Sequence, residues 1–259
     1  MNHLDLFSGI GGFALAAKWA GFTTVAFSEV DKYACRVLNK NFPGVPNLGD
    51  ITRSGEWPDM GPIGILTGGF PCQPFSCAGK RRGASDDRFL WPAMLGVVQR
   101  YKPTWIIGEN VPGIIPMELD RVLSGLEGLE YTCQTLVIPA CAVDARHRRD
   151  RVWVMTRNSN KSNVYQEQKV AGGGQSPDTI GICEAIPNPT SERYAPPPPI
   201  DIWSSFESGS RWSPEPGVGR VAHGIPNRVH RLSGLGNAIV PQVAYELMRF
   251  ISAIERIEL

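Results

Sequence analysis

Asp5-Leu6-Phe7-Ser8-Gly9-Ile10-Gly11-Gly12-Phe13 decides the fold class of this chain. Asn2 to Phe7 reads as a buried strand, Ser8 to Gly12 as a glycine-rich turn, and the Ala-rich Phe13 to Ala20 as a helix that Gly21 can end. Glycines in such a turn let backbone approach a ligand closely, and the helix N-terminus faces it. Outward from this unit the pattern repeats. Thr23 to Ser28 predicts a second strand, and Asp31 can cap a helix to about Asn41. Ile63 to Thr67 and Thr104 to Gly108 read as further strands, with a helix from Pro92 to about Arg100 between them. A helix from Pro116 to about Leu126 follows. Thr132 to Ile138 and Arg151 to Thr156 then look like two strands paired near the sheet edge. Strands alternating with helices over residues 1–157 predict an α/β fold with a doubly wound, mostly parallel sheet.

Composition changes after residue 157. Asn158 to Gly219 holds Gly172-Gly173-Gly174 and the run Pro196 to Pro199, with little periodicity. Trp203, Phe206 and Trp212 argue for a small, irregular, ordered insert rather than a disordered linker. Helical periodicity returns from Gln242 to Glu255, with Val243, Ala244, Leu247, Met248, Ile251 and Ile254 on one face. The expected division is one domain from residues 1–157 and 233–259 and a smaller one from 158–232.

The 259 residues carry 26 basic and 25 acidic side chains, which excludes a histone-like binder but leaves local basic patches open. Six dispersed cysteines fit a reducing cytoplasm rather than a disulfide scaffold. Cys72 and Cys77 form a lone C-x4-C pair without a nearby histidine, so no metal is expected. No apolar run has the length of a membrane helix, and the first residues lack the basic flank of a signal peptide.

Several local patterns carry chemistry. Gly69-Phe70-Pro71-Cys72-Gln73-Pro74 holds a cysteine between two prolines, just past the carboxyl end of a strand. A thiol there reads as a nucleophile or as a small buried hydrophobe. Glu29 follows the second strand, 20 residues after Gly9, where a carboxylate can bind both ribose hydroxyls or simply be solvated. Gly49-Asp50-Ile51 places an acid that can accept from an adenine amino group or cap a helix. Glu109-Asn110-Val111 ends another strand, at the same sheet edge as Cys72. Arg146-His147-Arg148-Arg149-Asp150-Arg151 abuts a strand, which favours a functional role over a solvated charge run.

In this order the patterns closely resemble the DNA cytosine carbon-5 methyltransferase family over residues 2–157 and about 220–255. His147 stands where the family usually has glutamine, and the insert before Arg231 is short for the family. The resemblance implies an S-adenosylmethionine-dependent fold and no metal. It also implies that Phe7, Ser8, Gly9, Ile10, Gly11 and Gly12 bind the donor, with Glu29 at its ribose and Asp50 and Ile51 at its adenine. Val30, Leu90, Asn237 and Ala238 are expected beside the same ligand, and the product is S-adenosylhomocysteine.

The resemblance further implies a covalent route. The thiolate of Cys72, set by Pro71, adds to carbon 6 of a flipped-out cytosine. Glu109 donates at ring nitrogen 3 and so needs a pKa above the free value of about 4.3. Asn110, Arg149 and Arg151 support the site. Expected DNA contacts are Gln73, Ser76, Lys80, Arg81, Arg82 and Arg88 after the nucleophile, and Arg220, Arg228 and Arg231 before the last helix. Double-stranded DNA is the expected partner, bound by a cytoplasmic monomer of a restriction–modification system or a phage modification enzyme. A related branch of the family modifies transfer RNA. A non-catalytic DNA binder would leave the Cys72, Glu109 and Asn110 set unexplained, and a nicotinamide-dependent oxidoreductase would leave both the Pro-Cys-Gln and the Glu-Asn-Val stretches so.

Overall fold

The computed structural model describes residues 1–71, 90–161 and 228–257, all within one unit of the chain. Cys72, Gln73, Ser76, Lys80, Arg81, Arg82, Arg88, Arg220 and most of the expected insert lie outside the described residues.

The described strands are β1 (Asn2–Leu6), β2 (Thr23–Ser28), β3 (Ile65–Gly68), β4 (Trp105–Asn110), β5 (Tyr131–Ile138) and β6 (Arg151–Asn158). They lie side by side in the order β2-β1-β3-β4-β6-β5. The first four are parallel, and β6 runs antiparallel between β4 and β5. Helices α1 (Gly12–Trp19), α2 (Lys32–Asn41), α3 (Trp91–Tyr101), α4 (Leu119–Glu127), α5 (Arg228–Asn237) and α6 (Pro241–Ile257) accompany the sheet. This is the doubly wound, mostly parallel α/β architecture expected, with the last two strands paired at the sheet edge.

Local chemistry explains the elements. Asp31 caps α2 by accepting from the Ala34 amide at 2.8 Å. Pro92 sits in the first turn of α3, where its missing N–H costs nothing. Gly21 takes a left-handed φ of 80° just after α1. Three details differ from the sequence reading. The helix expected from Pro116 begins at Leu119, after a separate 3-10 turn over Pro112–Ile114. Strand β4 runs on through Glu109 and Asn110, because antiparallel β6 pairs Trp153 and Val152 against them. Helix α5 has no counterpart among the expected elements, since Gly234 and Gly236 weaken its intrinsic propensity.

The chain passes from β1 to β2 on one side and, after α2, to β3 on the other. Parallel sheets bind ligands at the carboxyl ends of the strands beside such a reversal. β3 and β4 are buried along their whole length, so the strand ends that form this edge are packed on both faces. Beneath it, a polar chain crosses three strands. Thr67 donates to Asp5 Oδ1 at 2.8 Å. Its oxygen therefore accepts from His3 Nε2 at 2.8 Å, and His3 Nδ1 accepts from Thr24 at 2.9 Å.

Candidate active site

The crevice beside the reversal encloses about 840 Å³ and is lined from both sides of it. On the β1–β2 side, Phe7, Gly9, Ile10, Glu29, Val30, Asp50 and Ile51 reach it. Glu29 lies where strand β2 ends. One carboxylate oxygen accepts from the Gly9 amide at 2.7 Å, and the other from the amides of Val30 and Asp31 at 2.9 and 2.8 Å. The glycine turn and the acid after β2 are thus joined directly. Asp50 Oδ1 accepts from the amide and hydroxyl of Thr52 at 2.9 and 2.8 Å. It caps the 3-10 turn Ile51–Glu56, and these bonds hold its carboxyl below the usual range.

Gly9 and the other two glycines of the turn differ in what surrounds them. Of the three, only Gly9 reaches the crevice. Its φ is 53°, and a Cβ at this position would come no closer than 4.0 Å to any protein atom. A Cβ on Gly11 would stand 2.7 Å from the Phe42 ring, and one on Gly12 would stand 2.7 Å from Ile239. At those two positions the space a side chain would take is filled by protein side chains. Ser8 is buried and donates to the Asp5 carbonyl at 2.7 Å, so its hydroxyl holds the turn to β1. Ala238 is likewise structural, through its carbonyl.

On the β3–β4 side the crevice is lined by Gly69, Phe70, Pro71, Leu90, Glu109, Asn110 and Arg151. Glu109 is 8 % exposed, and Arg151 Nε lies 2.9 Å from its Oε1. Its other oxygen lies against Gly69, where an added Cβ would come within 3.2 Å. Burial pushes the Glu109 carboxyl above its ordinary pKa, while Arg151 and then Arg149 oppose that rise. Asn110 donates from Nδ2 to the Phe70 carbonyl at 2.9 Å, and its Oδ1 accepts from the Val111 amide at 2.9 Å. The strand end carrying Glu109 is thereby tied to the segment that leads to Cys72. Cys72 itself is outside the described residues.

Helix α5 borders the same crevice with His230, Gly234 and Asn237. The His230 ring stacks on Tyr33 of α2, with centroids 5.7 Å apart. Arg149 does not line the crevice. Its guanidinium donates to the carbonyls of Gly236 and Ala238, each at 2.7 Å, from a left-handed backbone with φ 38°. Arg231 and His147 are exposed, and of the Arg228 side chain nothing is described. Sequence reasoning missed Asn47, Tyr33 and His230. Their roles come from contacts between segments far apart in the chain, which no local pattern signals.

Comparison with known proteins decides the family. The sequence profile described as C-5 cytosine-specific DNA methylase matches residues 1–192. The chain belongs to this family. Two of its curated relatives are the Type II methyltransferase M.HgiBI of Herpetosiphon aurantiacus and the Type II methyltransferase M.PspPI of a Psychrobacter species. M.HgiBI is 36 % identical over 60 % of this chain and 36 % of its own length. M.PspPI is 31 % identical over 81 % of this chain and 53 % of its own length. Among solved structures, a candidate DNA modification methyltransferase encoded within a prophage (E. coli) aligns with a TM-score of 0.52 and 27 % identity, over 62 % of this chain and 47 % of that one. The methylase match thus spans about a third to a half of the curated relatives. Among the described residues no group of three or more His, Cys, Asp or Glu could hold a metal, and no helix is long and apolar enough to cross a membrane.

Proposed function

We propose that the protein transfers a methyl group from S-adenosylmethionine to carbon 5 of cytosine in double-stranded DNA. The observation that carries this reading is the buried Glu109–Arg151 pair, which shares one crevice with the Gly9–Glu29 cradle. The donor fits that crevice chemically. Glu29 and Asp50 offer acceptors to ribose and adenine groups, Val30 and Ile51 offer apolar surface, and Gly9 leaves backbone open to close approach. The ligand would be held by these groups with Phe7, Ile10, Leu90 and Asn237. When bound, it supplies an electrophilic methyl group.

The remaining chemistry belongs to the chain. Cys72, as thiolate, is the nucleophile toward carbon 6 of the base, which makes carbon 5 electron-rich; once carbon 5 carries the methyl group it loses its proton, the carbon 6–sulfur bond breaks, and the thiolate is restored. Glu109 holds the proton that hydrogen-bonds ring nitrogen 3, and its burial favours that protonated form. Arg151 keeps Glu109 oriented and can meet the base carbonyl; Asn110 fixes the Phe70 carbonyl two residues before the thiol. A base must leave the duplex to enter such a crevice, at a cost of roughly a few kcal/mol. We assign phosphate contacts to Lys80, Arg81, Arg82, Arg88, Arg220, Arg228 and Arg231, with Gln73 and Ser76 nearer the flipped base. Residues 158–232 would read the target sequence, and the enzyme would act as a cytoplasmic monomer in restriction–modification or phage modification.

The test is methyl incorporation from labelled donor into duplex DNA, with transfer RNA alongside and bisulfite sequencing of the product. Methylated cytosine in DNA, lost in Cys72→Ser, is expected. Incorporation into transfer RNA alone, or full activity in Cys72→Ser, overturns the reading.

A further inference from the structure

We infer that Asn47 is a positioning residue for the donor end of the crevice, holding Glu29 and Asp50 in a common frame. The inference rests on the proposed donor site and deepens it. Strand β2 is the edge of the described sheet. Its outer backbone groups meet a single bridge, Phe27 against Asn47, in which the Phe27 amide donates to Pro46 and the Leu48 amide to Phe27, at 2.9 and 2.8 Å. Beyond that bridge the main chain turns away through Gly49, at φ 74°.

The Asn47 side chain continues the pairing that the backbone abandons. Its Oδ1 accepts from the Glu29 amide at 3.0 Å, and its Nδ2 donates to the Glu29 carbonyl at 3.0 Å. A carboxamide has the same donor and acceptor as a peptide unit, so it can stand in for one residue of a neighbouring strand. Its second lone pair takes the Gly49 amide at 3.2 Å, and its second hydrogen points to Cys35 Sγ at 3.2 Å. All four of its hydrogen-bonding capacities are therefore spent on protein, although the residue is exposed. Ser28 adds a bond from its hydroxyl to the Gly49 carbonyl at 2.7 Å.

The consequence lies at the crevice. Glu29 reaches Gly9 through one carboxylate oxygen, and Asp50 follows Gly49 directly. One amide group bonds the backbone of Glu29 and of Gly49, the residue that precedes Asp50, yet does not itself line the crevice. Aspartate at this position would replace the donor to the Glu29 carbonyl with an acceptor and add a negative charge. Alanine would remove all four bonds. Either change leaves Glu109 and Arg151 untouched, so donor affinity and chemistry should separate.

The test compares wild type, Asn47→Asp, Asn47→Ala and the control Asn2→Ala, whose amide bonds only Pro62. S-adenosylhomocysteine affinity is measured by calorimetry, KM for the donor and kcat by methyl incorporation, and folding by the melting transition. Both Asn47 variants should weaken S-adenosylhomocysteine binding and raise donor KM by about tenfold or more, with kcat at saturating donor within about twofold of wild type. Asn2→Ala should match wild type. Unchanged affinity in both Asn47 variants, a fall in kcat without a change in affinity, or loss of affinity only together with the cooperative melting transition overturns the inference. Wild type that binds no S-adenosylhomocysteine overturns the donor-site reading itself, and this inference with it.

Discussion

Arg151 Nε stands 2.9 Å from Glu109 Oε1, and the two side chains keep only 18 % and 10 % of their surface in water. Burial and the arginine pull the carboxyl in opposite directions. Burial dominates, so the proton is held more tightly than in water, yet the partner leaves it removable. A carboxyl in that balance keeps its proton, and so its capacity to donate a hydrogen bond, to higher pH than a carboxyl in water.

Glu109→Gln should keep the shape of the site and lower kcat by roughly 10²–10⁴-fold, the usual range for a positioned acid or base. In Arg151→Gln the opposing charge is gone, so the Glu109 pKa rises further. Since the protonated form is the active one, the descending limb of the pH profile of kcat/KM should move to higher pH. A limb that stays in place, or moves down, refutes the assignment; the pH–rate profile of both variants checks it.

The buried chain under the glycine turn makes stability depend on pH in a defined direction. Burial raises the Asp5 pKa from 3.8 to about 8. The folded state therefore binds a proton more tightly than the unfolded chain, and this contribution is complete below about pH 4. It is lost as pH rises toward about 8. Burial lowers the His3 pKa from 6.5 to about 3, so its contribution is complete above 6.5 and lost as pH falls toward 3. Asp5→Asn should flatten the alkaline loss of stability between about pH 5 and 8 and leave the acid side unchanged, as read from denaturant midpoints across pH.

Gly11→Ala should destabilise by about 1–3 kcal/mol, because the added methyl meets the Phe42 ring from a backbone with φ 90°. Gly44→Ala, at φ 88° where nothing lies within 4 Å, serves as the matched control and should lose only the left-handed backbone penalty of about 1–2 kcal/mol. Chemical denaturation of the two variants separates packing at the turn from a general penalty for lost glycine.

Arg149→Ala should release the end of α5, where the carbonyls of Gly236 and, one residue past the helix, Ala238 receive its two bonds. Amide hydrogen exchange in α5 is expected to accelerate by about tenfold, while exchange in β4 stays as in wild type. Equal acceleration in both elements would mean that the arginine supports the whole unit rather than this latch.

Much of the fold is legible in the sequence because its signals are local. A strand, a glycine turn and an Ala-rich helix adjoin each other in residues 2–20, and the same alternation recurs to residue 157. Glu29, Asp50, Glu109 and Arg151 are legible as acids or bases at strand ends, and all four reach the crevice. What escapes depends on distant neighbours. Gly11 and Gly12 look like ligand-facing positions in a turn, but Phe42 and Ile239 occupy the space they leave. Arg149 reads as a catalytic cation until α5 is seen to supply its carbonyl partners. Asn47 resembles any polar loop residue, because Glu29, 18 residues earlier at the end of an edge strand, gives it its task.

The first helix of the unit is covered by the last. Trp19 of α1 meets Tyr245 of α6 edge-on at 6.1 Å, and Gly12 receives Ile239. During synthesis the ribosome delivers α1 more than 200 residues before that cover. The α1 flank of the nascent sheet therefore stays open until α6 emerges, so this face of the unit closes only once the last helix has been made.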